Sequence, residues 1–180
     1  MPAYRQLLAG IAEVNRLLLS TASTNGCLGT IINWQQKIWP ALGEKTGQEL
    51  SAALGSNLPL DLQPPKEYQG EPRIIVPTLR SVVQRDEELL LKVMFLDAQP
   101  PRQLNLYYRP LAQGEFARLP LTNVARGVYR VKVPPLAGEA VALEYYIQAE
   151  THAGRKVVFP ATSPTINQTV VVISKPPAVA

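Results

Sequence analysis

The sequence predicts a mainly β fold, an antiparallel β-sandwich preceded by a short α-helical region, on three observations. Beyond about residue 72, apolar residues recur with a period of two in short runs, the spacing that turns one side of a strand to a core and the other to solvent. The 17 prolines fall mostly between those runs, where a missing N–H does least harm to a ladder. Turn residues interrupt the pattern roughly every ten positions, the rhythm of a sandwich and not of a parallel α/β sheet.

The first helix is predicted over Pro2 to Ser20. Tyr4, Leu7, Leu8, Ile11, Val14 and Leu18 recur at spacings of three and four, and Pro2 stands where a helix needs no N–H. Ser20 to Gly26 breaks it. Thr30 to Trp39 forms a second helix stopped by Pro40, with Ile31, Trp34 and Ile38 on one face. Thr46-Gly-Gln-Glu49 has the capping-box pattern and starts a third, ending near Gly55. Residues 1–55 are thus a helical lead, too small to bury its apolar faces alone. Residues 56–72, with Pro59, Pro64, Pro65, Gly70 and Pro72, read as an extended linker.

Strands follow over 73–173. Arg73 to Arg80 is an edge strand because of Pro77. In Glu88 to Leu96 the side carrying Leu89, Leu91, Val93 and Phe95 faces the core. Leu104, Leu106 and Tyr108 face inward on the next strand, with Asn105, Tyr107 and Arg109 outward. Gln113-Gly-Glu115 turns the chain into a strand from Phe116 to Leu121. Gly127 to Val133 points Tyr129, Val131 and Val133 inward, and Leu143, Tyr145, Ile147 and Ala149 form the inward row of another strand. Thr151-His-Ala-Gly154 is a hairpin turn, Arg155 to Phe159 returns, and Thr169 to Ile173 closes the sheet before a tail, 174–180, expected to be disordered. About eight such strands, spanned by no cysteine pair, specify an immunoglobulin/fibronectin-III-like sandwich.

Composition limits the function. An apolar share of 46% and a charged share of 18% mark a globular chain. The net charge of +4 is mild and its Lys and Arg residues are scattered, which argues against nucleic-acid binding. No apolar stretch approaches the length of a membrane span, so no membrane partner is expected. Glu13 and Arg16 interrupt what otherwise resembles a leader peptide. Cys27 stands alone, which excludes an internal disulfide and a multi-cysteine metal site.

The series Leu106-Tyr-Tyr-Arg109, Gly114-Glu-Phe116, Gly127-Val-Tyr129 and Leu143-Glu-Tyr-Tyr-Ile-Gln-Ala149, followed by Phe159-Pro-Ala161, resembles the fibronectin-III-like or immunoglobulin-like accessory domains of bacterial carbohydrate-active enzymes. The resemblance covers residues 73–173 and touches no catalytic motif. It implies a non-catalytic module of a larger bacterial enzyme, a glycoside hydrolase or a relative, with that enzyme's catalytic domain as partner and a periplasmic or secreted location. The alternative is a stand-alone carbohydrate-binding or protein-interaction module.

His152, the one histidine, would have to carry any triad or zinc site alone and reads as a solvated turn residue. Cys27 reads as a small buried hydrophobe. Glu144 and Glu150 lie on the outward side of one strand, about 20 Å apart and too far to cooperate as a glycosidase pair. Asp86-Glu87-Glu88 reads as a solvated acidic turn without the alternating ligands of a calcium loop. Gly43-Glu-Lys-Thr46 holds fragments of a phosphate loop without the spacing or the preceding strand. Asn167-Gln-Thr169 matches a glycosylation sequon. No metal site and no cofactor are expected. Tyr107 and Tyr146, outward beside Arg109, form a conceivable sugar-stacking platform, with polysaccharide as ligand, or else cover the sheet beneath a neighbouring domain. Trp34 and Trp39 are assigned to interdomain packing.

Overall fold

The computed structural model describes residues 2–21, 37, 40–59, 62, 63, 68 and 70–174. Trp34, Trp39, Cys27 and nearly all of the expected second helix lie outside them. The chain divides into two compact units, Met1–Gly70 and Glu71–Ala180.

In the first unit α1 spans Pro2–Thr21, a π-helical turn covers Pro40–Glu44, and α2 runs over Lys45–Leu54. Tyr4, Leu8 and Ile11 are buried, as their spacing requires. Val14, expected on the same stripe, is exposed. The capping box does not form. The π turn leads straight into α2, so Glu44 already has helical dihedrals and no side chain caps the helix start. At the other end Gly55, at φ +65°, takes the left-handed position that closes many helices. Leu58 and Leu62, in the stretch read as linker, are buried in one cluster with Tyr4 and Leu8. No described helix is long and apolar enough to cross a membrane.

The second unit is a mainly antiparallel sandwich with ten strands among the described residues: β1 Arg73–Ile75, β2 Val82–Gln84, β3 Leu89–Leu96, β4 Gln103–Pro110, β5 Ala117–Pro120, β6 Thr122–Ala125, β7 Val128–Val133, β8 Ala142–Glu150, β9 Lys156–Phe159 and β10 Gln168–Ile173. One sheet has the order β1-β3-β7-β6, the other β2-β10-β8-β4-β5, with β9 also paired to β8. The inward rows of both, including Leu91, Val93, Leu106, Tyr145, Ile147 and Val170, interdigitate in one core. The unit is an immunoglobulin/fibronectin-III-like β-sandwich, as its alternation predicts.

Two expected strands are shorter than expected, and each is followed by a further strand in the other sheet. The stretch Arg73 to Arg80 yields only β1, which ends at Ile75 ahead of Pro77. β1 is an edge strand of its sheet, as expected, and a second edge strand, β2, follows in the other sheet and runs parallel to β10. The strand expected from Phe116 to Leu121 ends at Pro120, and the chain changes sheets at Leu121, whose N–H reaches Leu104 O at 3.0 Å. The four residues of β6 then pair with β7. A period of two reports which side of a strand is buried but not which sheet it joins, so neither change of sheet shows in the pattern.

β8 organises the larger sheet. Leu143 to Glu150 pair with β4, while on its other edge β10 takes Ala142 to Tyr145 and β9 takes Ile147 to Glu150. The outward face of this sheet carries the candidate site.

Candidate functional site

The register of β4 and β8 sets Tyr107 directly opposite Tyr146 and Arg109 opposite Glu144. Cross-strand neighbours on one face stand close enough for aromatic rings to meet. The two tyrosine rings stack, centroids 4.8 Å apart and planes 8° from parallel. Phe116 meets Tyr146 edge-on at 5.1 Å, and the Arg109 guanidinium carbon lies 4.2 Å above the Phe116 centroid. All four side chains are half-buried. The sheet thus brings together all three of the expected platform residues, Tyr107, Tyr146 and Arg109, and adds Phe116. Counting back from the pairing of Tyr108 with Ala117 places Phe116 opposite Arg109, but that register depends on the length of the intervening turn, which composition leaves open.

Glu144 fixes the arrangement. One of its oxygens accepts from Arg109 Nε at 2.8 Å and from the Ala112 N–H at 3.0 Å, and the other accepts from Asn167 Nδ2 at 2.7 Å. Arg109 also donates to Gly114 O at 3.0 Å. Ala112, at φ +56°, and Gly114, at φ +67°, bend the β4–β5 turn back to receive these bonds. Burial raises the Glu144 carboxyl, but the bonds from Asn167, the Ala112 N–H and Arg109 outweigh it and hold the group below the ordinary value of 4.5. Burial, then the neighbouring Tyr107, pushes the Tyr146 hydroxyl up.

The remaining candidates scatter. Glu144 is buried and not the solvated outward carboxylate that the alternation implied, because the β4–β5 turn and the segment before β10 fold over it. Asn105, also expected outward, is buried and accepts from Arg118 Nε at 3.2 Å. Glu150 pairs with Arg102 at 3.7 Å, away from Glu144, so the two carboxylates serve different cations. His152 is exposed in the β8–β9 turn, which Gly154 closes by donating to Thr151 O at 3.0 Å. Glu87 pairs with Arg80, and Glu88 with Lys132 at 3.2 Å. The amide of Asn167 in the sequon is engaged by Glu144. Among the described residues no group of three or more His, Cys, Asp or Glu could hold a metal ion.

Chemically the cluster is a small amphipathic surface. One π-face of each tyrosine is turned on the other ring, and the cation is committed to Phe116 and Glu144.

No protein-family model matches the chain, and no curated protein matches it. Solved structures do. An engineered protein is similar at 11% identity and TM-score 0.41, with 57% of this chain aligned and 20% of that one. CopC from Methylosinus trichosporium OB3b is similar at 13% identity and TM-score 0.42, over 59% of this chain and 97% of that one. The M1 domain from titin is similar at 9% identity and TM-score 0.31, over 53% and 87%. The chain therefore spans a fifth of the engineered protein. Likeness at these levels transfers no residue role.

Proposed function

We propose that the chain is a non-catalytic accessory module of a larger bacterial enzyme acting on carbohydrate, a glycoside hydrolase or a relative, and that the Tyr107–Tyr146–Phe116–Arg109 face packs against that enzyme's catalytic domain. The observation that carries the docking half is the stacking of Tyr107 on Tyr146, which takes up one π-face of each ring. A pyranose ring needs an open aromatic plane, whereas a protein surface needs a rigid, half-desolvated anchor of aromatic and Arg side chains. The carbohydrate half rests on the resemblance of the strand series at residues 106–161.

The test expresses the natural reading frame that contains this chain, with and without the double substitution Tyr107→Ser/Tyr146→Ser. The expected outcome is a lower Tm of the catalytic body with kcat/KM per folded molecule unchanged. A body whose Tm ignores the substitution sinks the docking role. Retention of the 180-residue chain on neutral polysaccharide gels, lost in the same variant, would establish the sugar-binding alternative in its place.

A further inference from the structure

The other sheet carries a juxtaposition that its own stability does not favour. β3 buries Leu89, Leu91, Val93 and Phe95, so Leu90, Lys92 and Met94 lie on its outer side. There the register sets Lys92 directly opposite Arg130 of β7, and Thr122 of β6 opposite Arg130 on the next strand. Both cations are exposed, and among the described residues neither is in an ion pair. The acids near the start of β3 are engaged, Glu88 by Lys132 and Glu87 by Arg80. The imbalance belongs to this unit: from residue 71 onward Lys and Arg number 13 against 9 Asp and Glu, while residues 1–70 hold 5 of each. Like charges directly opposed across a sheet destabilise it, and an anion placed between them reverses the sign. Where a local rule is broken with no compensation inside the fold, function is the usual reason.

We propose that the Lys92–Arg130 rung binds an acidic glycan. The guanidinium and ammonium grip one uronate carboxylate or sulfate ester at a time, as charge-assisted donors do. The Thr122 hydroxyl supplies a further polar group, and Leu90 and Met94 offer apolar surface to sugar C–H groups. The number of cations selects this ligand. A protein that holds duplex nucleic acid commonly makes six to ten phosphate contacts, and an anionic membrane surface is read by clusters of about four to eight cations. This rung has two, with Lys132 tied to Glu88. The inference rests on the carbohydrate half of the proposed function and not on its docking half.

Affinity electrophoresis of the full chain in gels containing heparin, polygalacturonate or neutral dextran tests it. Retardation is expected with at least one acidic polymer and not with dextran. Heparin alone indicates sulfate, polygalacturonate alone carboxylate, and competition by inorganic sulfate measures how much of the grip needs the polymer. Lys92→Gln/Arg130→Gln should weaken binding by at least about tenfold while Tm stays level or rises, because the like-charge contact is gone. Lys92→Arg, which keeps the charge, should bind as the native chain does. No retardation with either acidic polymer, equal retardation of the double variant, or tighter binding to duplex DNA than to both glycans would overturn the proposal. None of these results bears on docking, which stands on the Tm of the catalytic body.

Discussion

Glu144 and Tyr145 are adjacent on β8, face opposite ways and differ in how well their polar atoms are satisfied. Glu144 has a donor for each carboxylate oxygen. Its folded-state value lies below its unfolded one, so its contribution is fully present above pH 4.5 and is lost as pH falls through the folded value. Glu144→Gln should lower stability by about 2 kcal/mol at pH 7 and flatten the acid limb of a urea-stability profile between pH 5 and 3. An acid limb that keeps its slope in the variant would show that other carboxylates govern it. Tyr145 is fully buried with its hydroxyl unpartnered, and desolvation alone pushes that hydroxyl far up. Tyr145→Phe removes an unsatisfied group while keeping the ring, so it should leave stability level or raise it by about 1 kcal/mol. A clear fall in the urea midpoint would mean that a buried water satisfies the hydroxyl. The sequence distinguished these neighbours only by parity. Parity gave Tyr145 its inward place but made Glu144 a solvated residue, because the turn and segment that fold over it come from residues 112 and 167.

Among the elements, α2 shows how a tertiary contact overrides local preference. Gly47 is buried mid-helix, where alanine is ordinarily favoured by about 1 kcal/mol. A Cβ there would meet the Tyr4 hydroxyl at 2.5 Å, and that hydroxyl donates to Gly43 O at 3.0 Å. Gly47→Ala should therefore destabilise the helical unit. Combining it with Tyr4→Phe should recover most of the loss, since the ring carbon that bears the hydroxyl is 3.6 Å from the same point. Circular dichroism at 222 nm through a urea titration of the four proteins in the cycle measures the coupling, and simple additivity would dismiss the contact. The start and stop signals of this helix were unequally legible. Gly55 acts by its own backbone freedom and ends the helix where expected, whereas the Thr46–Glu49 box depends on how the chain enters, and the π turn enters already coiled.

Over the whole molecule, the core joins inward rows from both sheets, and Leu106 lies within it with no solvent exposure. Leu106→Ala should cost about 3 kcal/mol in urea unfolding, the loss of buried apolar surface plus the cavity left behind. A loss below about 1 kcal/mol would mean that the two sheets close the gap by shifting. The inward rows Leu89–Phe95, Leu104–Leu106, Tyr129–Val133 and Leu143–Ala149 were all legible, because burial of one side of a strand is written in residues two apart on the same strand. For the same reason the sequence by itself determined a sandwich after a helical lead, and placed Tyr107, Tyr146 and Arg109 on an outward side. Only the tertiary structure decided that β1 and β2 join different sheets, that Phe116 completes the aromatic cluster, that Glu144 is its buried anchor and that Lys92 faces Arg130. Each of these depends on register between strands distant in sequence, which turn lengths and the packing of two sheets set together and which no single strand encodes.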